Sequence, residues 1–174
     1  MNHSLWNPEN YRGAMEHALI VAGESNDPAT QTGAVLVSPD GTTILGRGAN
    51  VVPPGVIDTP ERHERPLKYS VLEHAERAAI YQAARIGAKT LDSVMVSVWA
   101  GCAECSRAAI GAGVSAFISF PFRPEATPSH WDDAIILGRQ MLEEAGVTVI
   151  DYDYPGITIP PLRRNYLPWN PDSL

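Results

Sequence analysis

The residues best suited to chemistry are His74 and Glu76, in His74-Ala75-Glu76, and the two cysteines of Cys102-Ala103-Glu104-Cys105. Imidazole and thiolate are donors that zinc prefers. Three protein donors leave the fourth tetrahedral position for a water, which the ion acidifies toward neutrality. Cysteines three residues apart at a helix start present both sulfurs on one face, and the helix N-terminus favours their negative charge. Glu76, two residues past the imidazole, is placed to take the water's proton without binding the ion. Alternatives for the C-x-x-C are a structural zinc half-site or a redox pair. A four-cysteine site is excluded by count, because the chain has 2 cysteines. A redox dithiol would leave His74 and Glu76 without a task. The reading taken is one zinc ion per chain, held by His74, Cys102 and Cys105, with Glu76 as the catalytic proton carrier.

The elements that must position these residues follow from periodicity. Residues 11–23 place Met15, Ala18, Leu19 and Ala22 at helical spacing. Residues 33–37 and 43–46 flank Asp40-Gly41, which predicts an antiparallel hairpin. The Pro-rich stretch 51–66 reads as a long irregular connection near the active site. Residues 72–86 predict a helix stopped by Gly87, with a small face at Ala75, Ala79 and Ala83 suited to close packing on a sheet. A strand (93–98), a short helix (103–112), a strand (114–120), a helix (131–145) and a last strand (147–152) complete an alternating pattern. Such alternation predicts an α/β layer structure with helices on both faces of a mixed sheet of about five strands. Residues 1–152 are expected to form this domain, and the Pro-rich tail 153–174 to pack on it or on a neighbouring subunit.

Composition narrows the partners. At 174 residues, 44% hydrophobic and 19% charged, the chain has the balance of one globular domain. Its apolar runs are shorter than a membrane span requires, and residues 1–10 are polar where a secretory signal is apolar, so the expected location is the cytoplasm. A net charge of -7 opposes tracking along a nucleic-acid backbone and favours a small nucleotide or nucleobase substrate.

His-x-Glu followed by Cys-x-x-Cys is the signature of zinc nucleobase deaminases. At these residues the chain resembles the cytidine and deoxycytidylate deaminase superfamily, roughly over 11–152, and most the deoxycytidylate branch. Asp27-Pro28-Ala29-Thr30, Gly33-Ala34-Val35, the turn 48–55, Lys68-Tyr69 and Glu144-Ala145-Gly146-Val147 follow that branch in order. Related riboflavin-pathway deaminases space their cysteines further apart. The resemblance implies a three-layer α/β/α fold with its site at the N-termini of the helices carrying His74 and Cys102. It also implies hydrolytic deamination of a dCMP-like cytosine nucleotide, Glu76 passing a proton to the ring nitrogen and then to departing ammonia, in a homo-oligomer. Asn50 would then hydrogen-bond the substrate, and Ala75, Trp99, Ala100 and Gly101, which flank the metal residues, would surround the base.

Three departures from the family pattern bear on the substrate: Ala78 for an asparagine, Gly101 for the proline before the first cysteine, and Pro54 for an arginine. They keep open a free base, a nucleoside or a related aminated heterocycle as substrate. Loss of the arginine leaves a 5'-phosphate to Arg62, Arg65, Lys68, Arg107 or Arg123. Editing of RNA or single-stranded DNA uses the same chemistry but conflicts with the acidic charge, and a non-catalytic zinc module conflicts with an intact Glu76. His17, His63 and His130 are read as surface histidines.

Overall fold

Every residue of β1 (Gly33–Val37), β3 (Val94–Ser97) and β4 (Ala116–Ser119) is buried, and successive side chains alternate between the two faces of a sheet. Val35, Val37, Val94, Val96, Ala116 and Ile118 enter one core, whereas Ala34, Leu36, Met95 and Phe117 enter another. The computed structural model describes residues 6–123 and 131–169. It joins these strands with β2 (Ile44–Ala49) and β5 (Thr148–Asp151) in the order β2-β1-β3-β4-β5. β1 pairs antiparallel with β2 and β3, while β3 with β4 and β4 with β5 are parallel. Helix α1 (Arg12–Ala22) supplies Met15, Ala18 and Leu19 to the first core. Helices α3 (Ala75–Ile86), α4 (Ala103–Gly111) and α5 (Asp132–Glu144) supply Ala79, Ala109 and Leu142 to the second. This is the expected three-layer α/β/α arrangement around a mixed sheet. Among the described residues no helix is long and apolar enough to cross a membrane.

Two boundaries differ from the sequence reading, each for a packing reason. β2 continues through Gly46-Arg47-Gly48-Ala49, past the expected end at Gly46. A Cβ on Gly46 would lie 2.3 Å from the Ala79 carbonyl oxygen, and one on Gly48 would lie 2.5 Å from both the Ala75 carbonyl oxygen and the Ala79 amide nitrogen. The glycines therefore admit the backbone of α3 to contact with the sheet. Ala75, Ala79 and Ala83, all fully buried, complete that small-residue interface as expected. At its other end α3 begins at Ala75, not Leu72, because Leu72 to His74 are extended and Glu73 bridges to Val51. A four-residue helix, α2 (Lys68–Val71), precedes it.

Beyond β5 the chain turns back over the α1 face. Tyr154, Ile157 and Leu162 are buried in the first core. β6 (Leu162–Arg164) and β7 (Leu167–Trp169) then form a separate antiparallel hairpin. Backbone bonds from Gln31 N to Arg163 O (2.9 Å) and from Tyr166 N to Ala29 O (2.8 Å) tie this hairpin to the 27–32 loop. Pro168 is tolerated because β7 is an edge strand. His130 and residues 170–174 of the expected tail lie outside the described residues.

Replacing Gly48 with alanine is expected to lower the unfolding free energy by about 2 kcal/mol through overpacking between backbone atoms that cannot yield. Urea unfolding should show the midpoint falling at unchanged slope.

Candidate metal centre and active site

His74 and Cys102 occupy equivalent places, each with extended backbone immediately before the first turn of a helix, α3 and α4. Cys105 lies one turn into α4 and is fully buried. The His74 Nδ1 atom is 3.5 Å from Cys102 Sγ and 3.4 Å from Cys105 Sγ, and the two sulfurs are 3.7 Å apart. Tetrahedral zinc, with bonds of about 2.3 Å to sulfur and about 2.0 Å to nitrogen, requires roughly 3.8 Å between sulfurs and roughly 3.5 Å from sulfur to nitrogen. The triangle already has the dimensions of one face of that tetrahedron, so these residues fit the ion and could hold it.

An ion-pair chain ties the two helix starts together. Glu73 Oε1 accepts the His74 backbone N–H (2.9 Å) and the Arg77 Nε–H (2.5 Å), and Arg77 also reaches Glu104 on the first turn of α4 (3.6 Å). Two close approaches hold the cysteine loop. A Cβ on Gly138 of α5 would lie 2.8 Å from Gly101 O, and one on Gly101 would lie 2.9 Å from the Phe117 ring. Gly101 therefore stands where the family has proline because Phe117 fills the space a proline ring would need.

Glu76 is 4% exposed on the first turn of α3. Its Oε2 lies 3.3 Å from Cys105 Sγ, and its Oε1 accepts from the Ser97 hydroxyl at the end of β3 (3.2 Å). Sequence reasoning missed Ser97, since a serine closing a buried strand carries no spacing signal. Burial raises the Glu76 pKa, more than the neighbouring His74 lowers it. Cys102 is lowered to about 4, first by its hydrogen bond with Cys105 and then by His74 against the effect of burial. Cys105, the partner in that bond and almost wholly buried, is raised. For His74, burial opposes the charged form, but the Cys102 bond and the charges of Glu76 and Cys102 outweigh it and raise the pKa.

His74, Glu76 and Cys102 open into a cavity of about 180 Å³. Of the residues expected around the substrate, Asn50, Trp99 and Ala100 line it, while Ala75 is buried against β2 and Gly101 behind the cysteine loop. The Asn50 side chain already secures the 27–32 loop. Its Oδ1 accepts from Thr32 N (2.8 Å), and its Nδ2 donates to Thr30 O (2.7 Å) and Asp27 Oδ2 (3.3 Å). Ala78 and Pro54 do not line this cavity; both border a separate groove beside β2.

Of the basic residues considered for a phosphate, Arg65, Lys68 and Arg123 reach the cavity. Arg62 bonds the Ile57 carbonyl, and Arg107 pairs with Glu104 on the exposed side of α4. Lys68 forms a buried pair with Asp27 (2.7 Å), Arg123 pairs with Asp153 (3.0 Å), and Arg65 donates to Asn165 Oδ1 (3.3 Å). Arg164 and Trp169 of the terminal hairpin also line the cavity, as do Trp131, Phe120 and Phe122. The sequence reading assigned neither hairpin residue to the site, because nothing local in a Pro-rich tail shows where it docks. Burial lowers Arg164 to about 10, which leaves it charged at neutral pH. The long 51–66 connection reaches the cavity only at its end, through Arg65. His63, read as a surface residue, is instead buried there, with its Nε2 2.6 Å from Asp58 Oδ1.

A three-layer α/β/α fold that brings one imidazole, two thiols and a buried carboxyl together at paired helix starts defines a zinc-dependent hydrolase site. The cytidine and deoxycytidylate deaminase zinc-binding region family matches residues 8–120, and the chain belongs to that family. It is a zinc-dependent deaminase that hydrolyses a carbon–nitrogen bond. An uncharacterized deaminase encoded in the luxG 3' region of Aliivibrio fischeri is 33% identical over 135 residues, covering 76% of this chain and 86% of the relative. The dCMP deaminase of cyanophage S-TIM5, solved in complex with dCMP and dUMP, is 22% identical with a TM-score of 0.66, covering 84% of this chain and 99% of that one. A diaminohydroxyphosphoribosylaminopyrimidine deaminase/reductase from Thermotoga maritima is 19% identical with a TM-score of 0.58, over 82% of this chain and 36% of that one. At these identities the two structures speak for the fold.

Because the lowered Cys102 pKa keeps its thiolate down to about pH 4 while Cys105 keeps its proton, ultraviolet thiolate absorbance of the metal-free protein should correspond to one cysteine at neutral pH. That absorbance should disappear as the pH falls through about 4. Cys102→Ser should abolish it, and Cys105→Ser should move its loss to higher pH.

Proposed function

We propose that this chain deaminates a cytosine nucleotide, a dCMP-like substrate, to the uracil nucleotide and ammonia, with zinc held by His74, Cys102 and Cys105. The observation that carries the reading is the zinc-sized triangle of donors beside a buried carboxyl, opening into an aromatic cavity. Zinc bound there supplies an acidified water as nucleophile. Glu76 would take one proton of the attacking water on the oxygen not held by Ser97 and carry it to the ring nitrogen, then take the remaining hydroxyl proton and carry it to the amino group, which leaves as ammonia as the carbon–nitrogen bond breaks. Burial, by raising the Glu76 pKa, suits a carboxyl that must hold a proton between those transfers. Trp99 and Trp131 offer flat surfaces for the heterocycle.

A nucleotide is favoured over a nucleoside by the clustering of Arg65, Lys68 and Arg123 at one cavity in a chain of net charge -7. The dCMP and dUMP held by the cyanophage relative support the same substrate class. The local partners of Lys68 and Arg123 favour the second reading, a nucleoside or free base, since they offset the charge available to a phosphate. A homo-oligomer belongs to the proposal; the exposed apolar side chains Ile20, Tyr81 and Ile86 support it.

Ammonia release by zinc-loaded protein should be greatest with dCMP among dCMP, deoxycytidine, cytosine, adenine, guanine and a tRNA. Preference for deoxycytidine or cytosine would replace the nucleotide reading with the second. Glu76→Gln should lose at least about a hundredfold in kcat while keeping a full equivalent of zinc by elemental analysis. Cys102→Ala should purify without zinc.

A further inference from the structure

Among the described residues that line the cavity, eight lie beyond the family-matched segment 8–120, and two of these come from the terminal hairpin: Arg164 on β6 and Trp169 on β7. Both act on Trp99. The Trp169 ring lies 4.9 Å from the Trp99 ring at an interplanar angle of 30°, and the Arg164 guanidinium carbon lies 3.6 Å from the centroid of the Trp99 ring. Trp99 itself sits on the loop between β3 and the first cysteine, three residues before Cys102. Trp99 is half-buried against the first core, and its ring needs a further constraint on the cavity side. The hairpin supplies that constraint, and its own position is fixed by Leu162 in the core and by the backbone bonds to the 27–32 loop.

The chemistry of the contact points in the same direction. A guanidinium over an indole face and a second indole nearby are planar groups that immobilise a planar ring. Trp99 Nε1 and Trp169 Nε1 are closed to water and have no hydrogen-bond partner among the described residues. Two adjacent buried donors left unpaired are uncommon in a finished protein interior. Both N–H groups are turned away from the open space of the cavity.

We propose that Arg164 and Trp169 are specificity-determining positioning residues: they clamp Trp99 as the flat wall on which the substrate's heterocycle stacks, so the terminal hairpin sets selectivity for the ring. The proposal rests on the deaminase-site reading above and adds to it the element that shapes the pocket. Arg164 acts here through its planar stack on Trp99. The loss on its removal therefore falls equally on phosphorylated and unphosphorylated substrates.

The test compares wild type, Trp169→Ala, Trp169→Phe, Arg164→Ala and Arg164→Lys, all zinc-loaded, on whichever compound of the panel wild type turns over best and on its counterpart with or without phosphate. Trp169→Ala and Arg164→Ala are expected to raise KM about tenfold, the size of one lost aromatic stacking surface. Their kcat should stay within about threefold, and zinc content should match wild type. Trp169→Phe should recover most of the loss and Arg164→Lys little of it. KM unchanged in Trp169→Ala, in a protein that still deaminates, overturns the hairpin proposal and leaves the deaminase reading standing. Arg164→Ala losing affinity only for the phosphorylated compound, with rescue by lysine, overturns the stacking role in favour of charge. Wild type turning over no compound overturns the deaminase reading and the hairpin proposal with it. If Trp169→Ala fails to fold, Trp169→Phe and the two Arg164 variants decide the matter by the same split of KM against kcat.

Discussion

The structure depends on bringing two helix N-termini to one point. His74 and Cys102 precede α3 and α4, and their donor atoms must approach to 3.5 Å although 27 residues separate them in sequence. Three glycine contacts make the meeting possible: Gly46 and Gly48 let the backbone of α3 lie on β2, and Gly138 lets α5 press against the cysteine loop. Two positive helix ends facing one another would repel. Cys102, with its pKa lowered to about 4, supplies negative charge there, and Glu73, just before α3, and Glu104, in the first turn of α4, add acidic groups. Arg77 crosses between those acids and restrains their spacing. Fold and electrostatics at the centre are thus one arrangement.

Much of this was readable from the sequence because the signals were local or periodic. The apolar run GAVLV, read as a strand, is one and is buried throughout, and the small face of Ala75, Ala79 and Ala83 packs on the sheet as expected. The tetrad of His74, Glu76, Cys102 and Cys105 stands out because zinc demands particular donor types, and those types occur at helix starts. What sequence could not show was long-range. The glycines of β2 carry no signal in isolation and become necessary only once α3 lies on them. Ser97 reaches Glu76 across 21 positions, and Arg164 and Trp169 reach the cavity from a segment whose prolines suggested only irregular packing.

The departures from the family pattern separate once the cavity is defined. Gly101 is explained by Phe117, which occupies the volume a proline would take, so the loop retains its place with a different filling. Ala78 and Pro54 border the groove beside β2 and contribute nothing to the cavity wall of this chain. Asn50, the matching residue of the same turn, stands at the cavity, but its amide is engaged with Thr30, Thr32 and Asp27. Its clearest physical effect is to hold the loop that in turn carries the terminal hairpin.

That chain of support gives the cavity its character. Asp27 bonds Asn50, Lys68 and the Ala29 amide, so one buried carboxylate ties β2's end, α2 and the loop together. Breaking a buried pair such as Lys68–Asp27 leaves an uncompensated charge, which costs far more than the pair contributes as an attraction. The loop bonds the hairpin through Gln31 and Ala29, and the hairpin bears on Trp99 beside the cysteines. Most of the cavity's cations are consequently spent partly on architecture: Lys68 on Asp27, Arg123 on Asp153, Arg65 on the hairpin. A wall assembled this way discriminates by the shape and placement of flat and polar groups more than by net field. Such a wall fits a small planar heterocycle better than it fits a polyanion held along its backbone.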